Sequence, residues 1–198
     1  MLGTRLRRAC LVSALIASLA WSRAAAAALP QTTPPVGVND EEWETFLMPG
    51  AQYSLYLPSA KSTYGTFQGV SFELLLGAWI HHNENRGPSH GRVYINTDLL
   101  WSTRDGVGKL LTYTLGVDLS FERNARRNYL IPYYGLDLGG FYIGSIGHVF
   151  AMNPFVGVHA IGTRNIFVNL TGGYLFPTER LDDLAGWRFK VGVDFSLW

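Results

Sequence analysis

The closing stretch, Gly186 to Trp198, constrains the fold more than any other part of the chain; it reads G-W-R-F-K-V-G-V-D-F-S-L-W. In an extended chain Trp187, Phe189, Val191, Val193, Phe195 and Leu197 fall on one face. Arg188, Lys190, Gly192, Asp194 and Ser196 fall on the other. Successive side chains of a strand point to opposite faces, so this pattern marks a β-strand and not a helix. One face is continuous and aromatic. The other mixes small residues with charges of both signs. A strand that spans a bilayer needs roughly 9–11 residues, and this run is long enough.

The same period recurs upstream. Tyr53, Leu55 and Leu57 alternate before a loop from Pro58 to Tyr64. Thr66 to Ile80 sets Val70, Phe72, Leu74, Leu76 and Ala78 against Ser71, Glu73 and Gly77. After a polar connection, His81 to Gly91, the run Arg92 to Trp101 sets Val93, Ile95, Leu99 and Trp101 against Arg92, Asn96 and Asp98. Asp105-Gly106 marks a turn. Leu110 to Phe121 alternates without a break, and Glu122 to Asn128 is a charged turn. Leu130 to Tyr142 follows, then Gly147 to Ile161 with a bulge expected at Pro154, then Ile166 to Phe176. Counted from Ala51, these runs predict an all-β fold: an antiparallel up-and-down barrel of about eight strands over residues 51–198.

Composition bears on which face meets what. Charged residues make up 16% of the 198-residue chain and aromatics 14%. A soluble surface normally carries about 25% charge. The polar faces use Gly, Ser, Thr, Asn and Asp rather than Lys and Glu. Tyr53, Trp79, Trp101, Phe121, Tyr174 and Trp187 sit towards strand ends, as interfacial aromatic girdles do. The expectation is a transmembrane barrel with its apolar face in lipid, in preference to a soluble barrel with an apolar cavity. Net charge is +1, with no basic block, so nucleic acid is not an expected partner.

The start of the chain reads as a targeting segment. Arg5, Arg7 and Arg8 precede an apolar run from Ala9 to Trp21, and Ala24 to Ala28 offers small-residue cleavage sites before Leu29. Residues 1–28 are expected to be a signal peptide. It holds the only cysteine, Cys10, so cysteine chemistry is not expected in the mature chain. Residues 29–50 are expected to form a proline-rich linker and a short amphipathic helix. Asn39 or Asp40 would cap it, Trp43, Phe46 and Leu47 would share a face, and Pro49-Gly50 would end it.

A lumen of eight strands is filled by side chains. Glu73, Asp98, Asp118, Glu122, Asp137, Asp194, Arg92, Arg188 and Lys190 are expected to point into it. Buried charge persists only when paired and hydrogen-bonded. The structural reading is a salt-bridge network that plugs the barrel, with Arg188 and Lys190 neutralising acids on neighbouring strands. The functional reading is a proton or ion path. His81, His82, Glu84 and His90 cluster in one connection, but their spacing matches no metal motif, and no metal or cofactor is expected. His148 and His159 are read as lumenal hydrogen-bonding residues. Asn169-Leu170-Thr171 matches a glycosylation sequon but falls within a strand. No phosphate loop, dinucleotide fingerprint or nucleophile elbow is present.

The alternating terminus ending on an aromatic resembles the closing strand of bacterial outer-membrane barrels, and Ala51 to Trp198 resembles by pattern the small barrels of the OmpA/OmpX type. The resemblance implies that Phe195, Leu197 and Trp198 form the barrel-insertion signal. It also implies a place in the bacterial outer membrane, with membrane lipid, the barrel-assembly machinery and a protein bound through the loops as partners. In that family the last aromatic shares the apolar face, whereas here Leu197 holds that phase and Trp198 is one residue out. The implied function is that of a non-catalytic structural or surface-interaction barrel. A narrow pore is a further alternative. Glu41 to Met48 with Tyr53-Ser-Leu-Tyr-Leu-Pro58 resembles, more locally, lipid A palmitoyltransferase barrels. That family's histidine after the proline and its Asp-Ser pair are missing here, and the His-x-Ser of the deacylase type is missing too. The lipid A-modifying alternative therefore carries no catalytic residues.

Overall fold

A computed structural model describes residues 41–81, 91–121, 129–144, 146–163 and 166–195. Among these residues eight strands close into a barrel in sequence order: β1 (Glu41–Pro58), β2 (Phe67–His81), β3 (Gly91–Ser102), β4 (Lys109–Ser120), β5 (Tyr129–Ile143), β6 (Gly147–Gly162), β7 (Ile166–Pro177) and β8 (Gly186–Phe195). Every neighbouring pair is antiparallel. β8 closes the sheet on β1, from Gly50↔Asp194 to Pro58↔Gly186. Closure gives each strand a ladder on both sides and removes the exposed edges of an open sheet. No helix among the described residues is long and apolar enough to cross a membrane, which says nothing about strands.

Alternation orders the two faces. On β4, Leu111, Tyr113, Leu115 and Val117 are exposed, while Leu110, Thr112, Thr114 and Asp118 are buried. The outer surface is apolar around the barrel, with Phe72, Ile95, Leu136, Met152, Leu170 and Val191 among its exposed side chains. Aromatic contacts lie towards both ends of this face. Trp43 meets Trp79 edge-on at 4.6 Å and Phe121 meets Tyr134 at 4.7 Å near one end. Tyr174 meets Trp187 at 5.2 Å near the other.

Several sequence expectations are corrected. Residues 41–50 are strand, not helix, and the barrel begins at Glu41 instead of Ala51. The segment pairs with β2 from Glu41↔His81 to Thr45↔Gly77, and Trp43, Thr45 and Leu47 face outward, so tertiary pairing outweighs local helix signals. The short segment that carried the likeness to the palmitoyltransferase barrels is accordingly all strand. Ala78 faces inward because a bulge between Leu75 and Gly77 shifts the phase of β2. Pro154 is not a bulge. It keeps register with Leu136, and the register shift of this strand lies between His159 and Ile161. With eight strands, the connection between β2 and β3 falls at the end of the barrel that also bears the start of β1 and the end of β8.

The opposite, distal end is capped. Two one-turn helices, α1 (Lys61–Tyr64) and α2 (Leu181–Leu184), lie in the β1–β2 and β7–β8 connections. They are tied together by Ser59 N–H donating to Ala185 C=O at 2.7 Å and Ala60 N–H donating to Asp183 C=O at 3.0 Å. Tyr64 and Leu184 drop from these caps into an apolar cluster with Tyr56, Phe67, Leu100, Leu110, Phe141, Ile143, Val149, Ala151 and Leu175. The Tyr56 hydroxyl donates to Leu184 C=O and so satisfies its one polar atom there.

Candidate functional site

Below the apolar cap the lumen is polar. Glu73, Arg92, Asp98, Asp118, Asp137, Arg188 and Asp194 are buried, and the Lys190 side chain is 8% exposed. They form two linked centres. Arg92 donates from Nε (2.9 Å) and Nη2 (2.6 Å) to Asp118 Oδ2. Its Nη1 lies 3.3 Å from Asp194 and 3.6 Å from Glu73. The rings of Tyr94, Tyr133 and Phe167 surround the guanidinium, with centroids 5.6–5.8 Å away. Arg188 forms the second centre, against Asp98 and, at 3.4 Å, Asp137. Lys190 lies 3.5 Å from Asp98 and donates to Asn96 Oδ1 at 2.7 Å.

Three cations thus face five carboxylates. Neutral donors meet part of the surplus, while Glu73 Oε1, Asp98 Oδ1 and Asp194 Oδ1 accept no hydrogen bond among the described residues. Tyr94 (2.9 Å) and Asn153 (3.0 Å) donate to Asp137. Gln52 donates to Glu73 at 2.7 Å, and Asn169 Nδ2 donates to Asp194. Asn169 Oδ1 in turn lies 2.6 Å from His159 Nδ1, and the imidazole stacks on Tyr133 at 4.1 Å. Tyr94 joins the two centres, because its ring faces Arg92 while its hydroxyl binds Asp137. Hydrogen bonds to ionised groups are the strong ones, and here they are withdrawn from water.

What space remains is small. A cavity of about 10 Å³ is lined by Gln52, Glu73, Arg92, Tyr94, Arg188 and Lys190, among others. That is room for about one water molecule. The large side chains fit because facing positions are small. A Cβ added to Gly116 would lie 2.2 Å from the ring of Tyr94, its ladder partner on β3.

Other sequence-read residues fall elsewhere. Glu122, Leu197 and Trp198 lie outside the described residues, as do residues 1–40 with the signal peptide and linker, and His82, Glu84 and His90. Phe195 is half-buried at the end of β8. His148 is not lumenal: it is exposed on the outer face, with Nδ1 3.3 Å from the Tyr113 hydroxyl. Among the described residues no group of histidine, cysteine, aspartate or glutamate could hold a metal. Sequence reasoning did not single out Gln52, Tyr94 and Asn153. Tyr94 shares the phase of Arg92 and Asn96, which would have placed it inside.

This architecture is shared with solved structures of small eight-stranded outer-membrane barrels. Neisserial surface protein A is 13% identical, over 81% of this chain and 99% of that chain, with a TM-score of 0.51. The N-terminal β-barrel domain of OprF from Pseudomonas aeruginosa is 14% identical, over 77% of this chain and 98% of that chain, with a TM-score of 0.49. The likeness to Neisserial surface protein A is one of fold alone. No protein-family model and no curated protein sequence matches the chain.

Proposed function

We propose that the protein resides in the bacterial outer membrane as a non-catalytic, plugged barrel with a structural or surface-interaction role. The observation that carries this reading is the contrast between an apolar outer face and a filled lumen. The outer face suits lipid, because a spanning sheet must satisfy its backbone internally and turn apolar side chains outward. Inside, the two arginine centres line a cavity of only about 10 Å³, and the apolar cluster fills the distal end. With the lumen occupied, interaction with partners falls to the loops, the rims and the outer face.

Planar-bilayer recording of the refolded protein tests the plug. The expected result is insertion without conductance steps, and regular single-channel steps would overturn it. Cell fractionation tests the location: recovery with outer membranes is expected, and recovery in a soluble fraction would refute it. Mass spectra of lipid A with and without the gene should show one acyl pattern. A changed pattern would show that the barrel modifies lipid.

A further inference from the structure

The β3–β4 connection at the distal rim carries a dipeptide with a chemistry of its own. Asp105-Gly106 is the only Asp-Gly step in the sequence, and no Asn-Gly step occurs. Both residues are exposed. Gly106 has a φ of 85°, in the left-handed region that favours glycine, and a Cβ built on it meets nothing within 4 Å. Among the described residues neither the Gly106 N–H nor the Asp105 carboxyl takes part in a hydrogen bond or ion pair. The side-chain carboxyl and the next amide nitrogen are therefore free to meet, and no side chain on Gly106 shields the nitrogen. The other aspartates differ. Asp98, Asp118, Asp137 and Asp194 are buried in paired strands. Asp182 and Asp183 are exposed on α2, but the amides that follow them are engaged: Asp183 N–H donates to Arg180 C=O at 3.1 Å, and Leu184 N–H donates to the same oxygen at 2.9 Å. The base of the β3–β4 connection is clamped. Ser102 N–H donates to Gly108 C=O at 3.2 Å, and Thr103 N–H donates to Thr66 C=O at 2.7 Å. The β3–β4 ladder starts below it, at Trp101↔Lys109.

We propose that Asp105-Gly106 is a site of spontaneous covalent modification, at which the folded barrel converts aspartate to isoaspartate. The Gly106 nitrogen attacks the carbon of the protonated Asp105 carboxyl. A nitrogen–carbon bond forms, a five-membered succinimide closes, and the carboxyl hydroxyl leaves with the amide proton as water. A water molecule then opens the ring. Attack on the former side-chain carbonyl restores aspartate. Attack on the main-chain carbonyl breaks its bond to nitrogen, so the chain runs through Cβ and the α-carboxylate becomes a branch. Water leaves and water returns, and no other reactant is consumed. The product has a longer backbone at an exposed loop tip, where extra length is tolerated. Because the tip lies beyond the clamp and the ladder, β3 and β4 keep their register. The inference does not depend on the membrane reading.

The test incubates the full chain, refolded into phosphatidylcholine vesicles, in water labelled with heavy oxygen. Chymotryptic peptides are then sequenced by mass spectrometry and compared with synthetic standards of both linkages. The peptide from Ser102 to Leu110 is expected to gain heavy oxygen at Asp105 and to divide into two forms that match the aspartyl and isoaspartyl standards. Asp105→Glu abolishes the gain, because the larger ring closes far more slowly. Gly106→Ala slows it several-fold by crowding the nitrogen, and Lys61→Gln on α1 leaves it unchanged. Barrels that carry isoaspartate should keep the gel mobility of the folded form. No heavy oxygen at Asp105, or an equal gain in the peptide that bears Asp182 and Asp183, overturns the site. Conversion confined to chain held unfolded in urea overturns the claim that the folded turn presents it. Loss of the folded gel mobility on conversion overturns the claim that the connection absorbs the extra length.

Discussion

The lumen is built in two ways within one barrel. At the distal end Phe67, Leu100, Leu110, Phe141 and Ile143 pack as an ordinary apolar core. Below it, Arg92 and Arg188 each gather carboxylates in a buried polar network. The change occurs within one pleat: Asp98 and Leu100 are consecutive inward residues of β3, and Leu110 and Thr112 of β4. The two regions differ in what they tolerate. An apolar layer loses stability in proportion to the volume removed. An ionic layer fails sharply, because deleting one partner strands the others as unpaired buried charges. Specificity differs too. Apolar side chains of similar volume can exchange, whereas the arginine fork must meet its carboxylates in one geometry.

Breaking the polar region should give the largest effect. Arg92→Ala leaves Asp118, Asp194 and Glu73 without their shared cation. The expected loss is about 3–5 kcal/mol, measured as the urea midpoint of the barrel refolded in vesicles. A loss under about 1 kcal/mol would show that the neutral donors Gln52 and Asn169 suffice, and the polar region would then behave like the apolar one. Next comes the apolar region itself. Leu110→Ala should cost about 3 kcal/mol, with no dependence on salt. Arg92→Ala and Leu110→Ala should add, since they share no partner.

Much of this was legible in the sequence, for a physical reason. Period two is a local property of an extended chain, so the strands from Arg92 to Trp101 and from Leu110 to Phe121 declared their faces residue by residue. The placements of Glu73, Asp98, Asp118 and Asp194 follow from that parity. What did not follow was anything set by a neighbour. The bulge in β2 that turns Ala78 inward depends on the register with β3. Glu41 to Met48 looked helical because Trp43, Phe46 and Leu47 suit one helical face, and only the ladder to β2 decides otherwise. The apolar cap was missed for a similar reason. Phe67, Leu100, Leu110 and Phe141 are far apart in sequence, and closure of the sheet brings them to one level. Alternation says which residues are inside; it does not say which of them meet.

Smaller substitutions sharpen where the polar region begins. Gly116→Ala would place a methyl 2.2 Å from the Tyr94 ring, and Tyr94 links the two arginine centres. Overpacking of this kind costs about 1–3 kcal/mol. If the strain acts through Tyr94, Tyr94→Leu in the same chain should recover part of it. An equal loss in both backgrounds would place the strain in the backbone instead.

The smallest effect expected is that of Tyr133→Phe. Within the polar region Tyr133 makes both kinds of contact: its ring packs against Phe155 and His159 while its hydroxyl lies 2.6 Å from Thr171 Oγ1. Phenylalanine keeps the ring beside Arg92 and removes that bond together with the longer one, 3.4 Å, that the hydroxyl donates to Leu170 C=O. A net hydrogen bond is worth about 1 kcal/mol, so the urea midpoint should fall slightly while the slope of the transition is unchanged. Thr171 borders the central cavity and would be left with access to it, which keeps the penalty at the low end. A loss approaching that of Arg92→Ala would mean that the hydroxyl orders the arginine centre through the ring. The polar network would then take in Tyr133 and Thr171 as one cooperative unit with the arginine centre.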